Sequence, residues 1–419
     1  MSFDRFKYVM IICVLIGTLP LFSQVEVRLD SLQNIVSSRR YNSVEKIQSL
    51  LEMADIHYYL DYNDEMLEDI NKAKGLLNKV KDNCLRLEVE YVESKYYYSI
   101  RMPQECQKRT ERLLLLAQEE KCTTIEVNLL LQLSKLNLQK DKLDSSDYYI
   151  KAAKGKAINV GDSILMAKTD LMAAYLFYLE NDHQKSIDIL LPAYNLFKRK
   201  GDDKNAGIAL VDLANSFYSD SRYDTALLYS LSAIPLLRKE SRIYTLASNY
   251  NQIAIIYQNI GQNEKAIDAY YSGLKIAEEY NFISHQNLFR YNLGNTYYTL
   301  EDLNQATINF ESCLEFAEKA NDTSSIIYSL SALGNISIDR NELDRASQQL
   351  SKSYELALIT DDTYMIGFLA TSIANVNIKL KKFKEAQELI DKGYKYAEIN
   401  KSKEERISTD ISQAILYSE

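Results

Sequence analysis

Residues 293–310 read LGNTYYTLEDLNQATINF, and the pair Gly294 and Ala306 within them sets the reading of the whole chain. Steps of forty positions return a small residue at both places: Ala174/Ser186, Ala214/Ala226, Ala254/Ala266, Gly334/Ala346 and Ala374/Ala386. The register continues backward through Ser134/Ser146, Ser94/Cys106 and Ala54/Met66. A fixed period of this size is the mark of a solenoid, in which each unit buries its apolar face only against its neighbours.

One unit, spanning 284–323, holds two amphipathic patterns. Leu288, Tyr291, Leu293, Gly294 and Tyr297 follow helical spacing, Glu301-Asp302 interrupts it, and Leu303, Ala306, Phe310, Cys313, Leu314 and Ala317 follow it again. Asn321-Asp322-Thr323 supplies a stop and then an N-cap, as do Asp361-Asp362-Thr363, Gly161-Asp162-Ser163 and Gly201-Asp202-Asp203. Joints this short predict antiparallel helix pairs stacked in series, with no strands. Small residues at the recurring pair let the two axes approach. A second small set, Ala153, Ala193, Ala233 and Gly273, marks where the following repeat leans in.

The bulk numbers agree with a folded helical protein: 26% charged, 46% hydrophobic, and only 4 Pro and 12 Gly in 419 residues. A net charge of −9 excludes the Lys/Arg footprint of nucleic-acid binding. The segment from Met1 to Ser23 reads differently. Arg5 and Lys7 precede the apolar run Tyr8 to Phe22, which ends at Ser23 before polar Gln24. That is the layout of a secretory signal peptide, too short for a comfortable membrane span, and its Leu-Phe-Ser-Gln ending resembles signal peptides of the Bacteroidetes. The expected organisation is a signal peptide at 1–23, an N-terminal helix or cap at 24–43, nine repeats over 44–403, and a capping helix or the start of a tenth repeat over 404–419. Export to the periplasm or cell exterior follows from that reading.

The four cysteines that remain after cleavage are poorly placed for pairing. Cys106 and Cys122 would bracket one helix, about 24 Å apart, and Cys313 occupies a small buried position. Cys84 and Cys122 stand at similar points of successive repeats, and a bridge between them is disfavoured.

Leu293-Gly294 with Tyr297, then Leu303, Ala306 and Phe310, together with Ile253-Ala254/Tyr257/Ala266/Tyr270, resemble the tetratricopeptide repeat family. The resemblance implies a right-handed superhelical, all-α solenoid whose first helices line a concave groove. The common repeat in that family is shorter, about 34 residues; the 40-residue variety resembles adaptors of G-protein signalling and bacterial sensor regions. The early units fit less closely, with Glu93 at an apolar position and Ser94/Cys106 in place of alanine.

No catalytic constellation emerges. His57, His183 and His285 lie in separate repeats, no nucleotide, metalloprotease or calcium-loop motif is present, and Asp361-Asp362 and Asp202-Asp203 sit at joints where capping accounts for them. No cofactor, metal or nucleic acid is expected, and a membrane only through an uncleaved signal or a further C-terminal segment.

The candidate surface follows the small residue of the first helix. Asn215, Asn295, Asn335 and Asn375 recur there, although Asn is a poor helix former. Three residues on, Tyr218 and Tyr298 share the face, Tyr291 extends it by a turn, and Tyr175/Tyr178 place an aromatic pair in the same register. Each amide offers a donor and an acceptor to an extended peptide, and Tyr adds contact area at low entropic cost. The competing reading has each Asn bonded to the adjacent repeat. At these places only Lys95 and Lys135 are cationic. The expected function is a noncatalytic scaffold that binds a protein or peptide; the rival is the sensor portion of a signalling protein whose membrane segment and output domain lie beyond residue 419. Lastly, Ile407, Ile411, Ala414 and Ile415 form a single apolar stripe near the C-terminus, read as the inward face of a capping helix.

Overall fold

The computed structural model describes residues 21–418, and among them every regular element is helical. The signal-peptide reading lies outside the described residues except at its end, where helix α1 (Leu21–Ser37) begins. First helices follow as α2 (Ser43–Leu60), α4 (Asn83–Ser99), α6 (Thr123–Leu138), α8 (Ser163–Leu179), α10 (Asp203–Ser219) and α12 (Ile243–Asn259). The second helices between them are α3 (Asn63–Leu76), α5 (Pro103–Glu119), α7 (Leu143–Asn159), α9 (His183–Lys200) and α11 (Tyr223–Lys239). One compact unit ends at Gln262 and a second begins at Asn263. The second holds α13 (Asn263–Glu279), α14 (Ile283–Thr299), α15 (Leu303–Ala320), α16 (Thr323–Asp339), α17 (Leu343–Thr360), α18 (Thr363–Lys379), α19 (Phe383–Ile399) and α20 (Lys403–Ser418).

Helices from α2 onward begin at Ser43, Asn63, Asn83, Pro103 and so on to Lys403, always twenty positions apart, and the joints explain why. At each joint after α2 but one a residue adopts the left-handed conformation, from Asp61 and Arg101 through Lys401 in steps of 20. The residue after it donates its N–H to a carbonyl of the last helical turn, as Asp182 does to Phe177 at 2.9 Å and Asp302 to Tyr297 at 2.9 Å. This closes each helix with the same turn. Glycine fills the left-handed place only at Gly161, Gly201 and Gly261; Asn or Asp, which tolerate it, fill seven others. Asp162, Asp202, Asp322 and Asp362 then accept N–H bonds from the next helix, so these acids are caps, as expected.

The crossing residues are closed to solvent: Ala226, Ala266, Ala306 and Ala346 are all fully buried. In the degenerate early repeats the crossing is polar but satisfied, with Ser134 Oγ 2.7 Å from Ser146 Oγ and Gln132 donating to Cys106 Sγ at 3.0 Å. Glu93 survives at its apolar position because Lys74, at 2.7 Å, and Arg109, at 3.6 Å, neutralise it. His57 is buried with its Nδ1 2.9 Å from Asp69 Oδ2, a partner on the second helix of the same repeat.

Two expectations fail. Cys84 and Cys122 form a disulfide, with Cα atoms 5.4 Å apart. The separation of 38 residues, almost one repeat, places the start of α4 beside the start of α6, so the disfavoured pairing is the one that forms. The bridge staples the one irregular joint, where the short turn Leu77–Lys79 and extended Val80 replace the left-handed residue. The second failure is α20. It docks on α19 through Glu405, Thr409 and Ser412, while Ile407, Ile411, Ala414 and Ile415 are exposed. Ala414 stands at the place of Ala374, on the face that second helices cover in earlier repeats, and Ile411 and Ile415 stand at the stripe positions of Thr371 and Asn375. The apolar stripe is therefore not an inward capping face.

Breaking the bridge with Cys84→Ser should cost up to about 4 kcal/mol for a closed loop of this length, read as a lower urea midpoint that reductant reproduces in the wild type. Gly273 tests the second small set, since an added Cβ would lie 2.2 Å from the Phe289 ring on α14. Gly273→Ala should destabilise by about 1–3 kcal/mol; an unchanged melting temperature would refute that packing.

Candidate functional site

In the second unit the stripe residues come together on α14, α16 and α18. Tyr291, Asn295 and Tyr298 border a pocket of about 230 Å³ with Asn335 of α16. Its aromatic wall adds residues that the sequence reading missed: Tyr328, Tyr364 and Phe368. Tyr328 and Phe368 stand seven residues before Asn335 and Asn375, two turns along the same face, a signal present in the sequence. The Tyr291 ring lies 5.5 Å from Phe310 and edge-on to Tyr328 at 6.0 Å, so the wall is preformed. Burial pushes the Tyr291 hydroxyl above its ordinary range even though Asn295 hydrogen-bonds to it.

The four asparagines are half-buried. Among the described residues, Asn215, Asn335 and Asn375 make no side-chain hydrogen bond to an adjacent helix, and the Asn375 Oδ1 is buried without a partner. The tyrosines three residues on behave differently. Tyr298 donates its hydroxyl to Asp339 at 2.6 Å, Tyr218 accepts from Asn259 at 3.1 Å, and Tyr178 accepts from Ser219 at 3.4 Å. Tyr98 and Gln139 make the same contact. Each pair is 41 residues apart, so these hydroxyls tie one first helix to the next. The Tyr175 ring stacks on Tyr178 at 6.4 Å and stays exposed. The stripe thus divides: among the described residues, Asn215, Asn335 and Asn375 bond to no neighbouring repeat, whereas the hydroxyls of Tyr178, Tyr218 and Tyr298 do.

In the first unit the same register is charged. The stripe position runs Asp55, Lys95, Lys135 before reaching Tyr175 and Asn215. Lys135 lies over the Tyr98 ring at 4.7 Å, its value lowered by burial. Asp55 does more, because this unit comes round on itself until α2 touches α12. Its carboxylate meets Lys95 at 2.9 Å, Lys204 at 2.8 Å and Arg242 at 2.7 Å. Arg242 also lies over the Tyr59 ring at 3.9 Å. Beside them Arg28 of α1 bonds Glu52 at 2.7 Å and the Lys239 carbonyl at 2.9 Å. Burial alone would raise Asp55, yet Lys95, Arg242 and Lys204 hold it well below the usual carboxylate range. At Lys95 burial opposes the charge, but Asp55 and the neighbouring tyrosines outweigh it and the value rises. At Lys204 burial prevails and the value falls. These residues wall a polar cavity of about 530 Å³. No local pattern announces it.

No curated protein matches the sequence. A family model for soluble NSF attachment proteins matches residues 170–330. Among solved structures, a signal transduction ATPase with numerous domains and a tetratricopeptide repeat sensor, from Pyrococcus horikoshii, aligns with a TM-score of 0.65 at 16% identity. That alignment covers 89% of this chain and 56% of the other, so this chain spans little more than half its length. The apo quorum sensor NprR of B. thuringiensis aligns at 0.60 and 14% identity, covering 84% and 99%. A Rap protein complexed with competence and sporulation factor aligns at 0.51 and 15%, covering 81% and 99%. Identities this low speak for fold, and the fold is the tetratricopeptide-type α-solenoid.

Replacing Asp55 by Asn should cost about 3–5 kcal/mol, because three cations lose their shared counter-charge. The wild-type contribution is complete above about pH 4, the unfolded aspartate value, and is lost as pH falls through the lower folded value. Asp212 on α10 has the opposite sign: burial pushes its carboxyl up to about 7, and it forms no salt bridge among the described residues. Folding therefore weakens as pH rises from about 4 to 7. Asp212→Asn should raise the melting temperature at about pH 8 and change little near pH 4; equal effects at both would refute the assignment.

Proposed function

We propose that this protein is an exported, noncatalytic scaffold that holds an extended protein or peptide segment along the first helices of its second unit. The observation that carries the reading is the pair Asn295 and Asn335, half-buried in register on successive first helices and bonded to no neighbouring helix among the described residues, bordering a preformed aromatic pocket. Unused amides in a helix are costly unless something completes them. A peptide main chain offers the matching donors and acceptors, and the pocket would take an apolar or aromatic side chain. The groove is neutral at this place, which suits main-chain recognition better than an acidic ligand.

Two further observations support parts of the reading. The leader-like segment from Met1 to Ser23 and the Cys84–Cys122 bridge both suit an oxidising compartment. A structurally similar Rap protein is complexed with competence and sporulation factor, and a similar chain is a quorum sensor. A second reading, the sensor portion of a larger signalling protein, is favoured by the likeness to a signal transduction ATPase carrying a repeat sensor.

Selection of displayed random peptides on the oxidised protein tests the main proposal. Enriched peptides should bind the Asn295→Ala/Asn335→Ala double variant at least about tenfold more weakly, a loss of about 1.4 kcal/mol, with a melting temperature close to wild type. Equal affinity in the variant, or peptides that compete at the first unit instead, would overturn the assignment.

A further inference from the structure

We infer that the polar cavity of the first unit is a binding site for a compact anion, a carboxylate or phosphate group carried by a small ligand. The charge balance around Asp55 is the first argument. Three cations, Lys95, Lys204 and Arg242, share the single carboxylate of Asp55. Lys168 lines the same cavity, outside every salt bridge among the described residues. Glu52 and Glu240 line it too and share the one Arg28, so five cations meet four carboxylates, Glu88 included, and one positive charge is left over for one anionic group.

Arg242 is the second and independent argument. Its side chain is only 4% exposed and it gives one Nη2 hydrogen bond to Asp55, yet its Nε and Nη1 are buried with no acceptor among the described residues. Guanidinium has five N–H donors and no acceptor capacity, and leaving them unmet in the interior is expensive. Tyr59 covers one face of the group and supplies no oxygen to its edge. An anion between Arg242, Lys204 and Lys168 would complete the donors and the charge together, through the short charge-assisted bonds that such groups form. The depressed Lys204 points the same way, since burial there outweighs the one carboxylate it shares. Half-buried Glu88 lines the cavity too, its carboxyl pushed up by burial against the partial relief of Lys168. It would repel an extended polyanion, which limits the ligand to one anionic group.

Calorimetric titration of the oxidised full chain with inorganic phosphate and with glutamate, against chloride at matched ionic strength, tests the site. At least one probe should bind saturably and raise the melting temperature, and which one does so identifies the preferred group. Lys168→Gln should keep the wild-type circular dichroism and melting curve but weaken binding at least about tenfold. Lys204→Gln should weaken it as well. A cavity that holds only water would give no saturable heat above chloride with either probe, and that result overturns the inference. So does wild-type affinity in Lys168→Gln, whatever Lys204→Gln does to stability.

Discussion

One carboxylate joins the ends of a turn. Asp55 reaches Lys204 and Arg242, 149 and 187 residues further along the chain, and through them α2 meets the joint before α12. A solenoid has contacts only between neighbours until its superhelix completes a turn. Here the completed turn creates a polar interior within the first unit, held by three cations around one acid. A charge network of this kind adds little net stability, because desolvation consumes much of the Coulomb gain. The same network produces the cavity, the uneven lysines and the unmet donors of Arg242.

Beneath that closure lies a local rule applied repeatedly. Each regular joint uses one left-handed residue to end a helix and start the next, so helices start at even intervals and equivalent residues of successive repeats stand side by side. The rule explains contacts that share no sequence motif: Cys84 with Cys122, Tyr298 with Asp339, and Lys95 with Asp55, at separations of 38, 41 and 40. The two units use the same stripe position for different chemistry. Ionic residues occupy it in early repeats, where Asp55 and Lys95 bond to each other. In the second unit Asn295 and Asn335 occupy it, bonded to no neighbouring helix among the described residues, beside tyrosine and phenylalanine. One geometric slot thus serves closure in one unit and an open surface in the other.

Much of this was legible in the sequence, for a physical reason. The 40-residue period, the helix pairs, the small residues at crossings and the capping aspartates are local demands of helix geometry, and local demands leave local patterns. The asparagine stripe was visible as a recurrent violation of helix propensity. What the sequence alone could not decide was which side chains meet across repeats and across the turn. Cys84 and Cys122 stand at similar points of successive repeats, but whether such points touch depends on how the pairs stack, which the sequence does not state. The stripe on α20 was assigned to the wrong side because amphipathicity gives a face but not its direction. Asp55, Lys204 and Arg242 carry no motif at all. Their meeting depends on the pitch of the superhelix, the sum of many small rotations between packed helices, and no residue encodes that sum by itself.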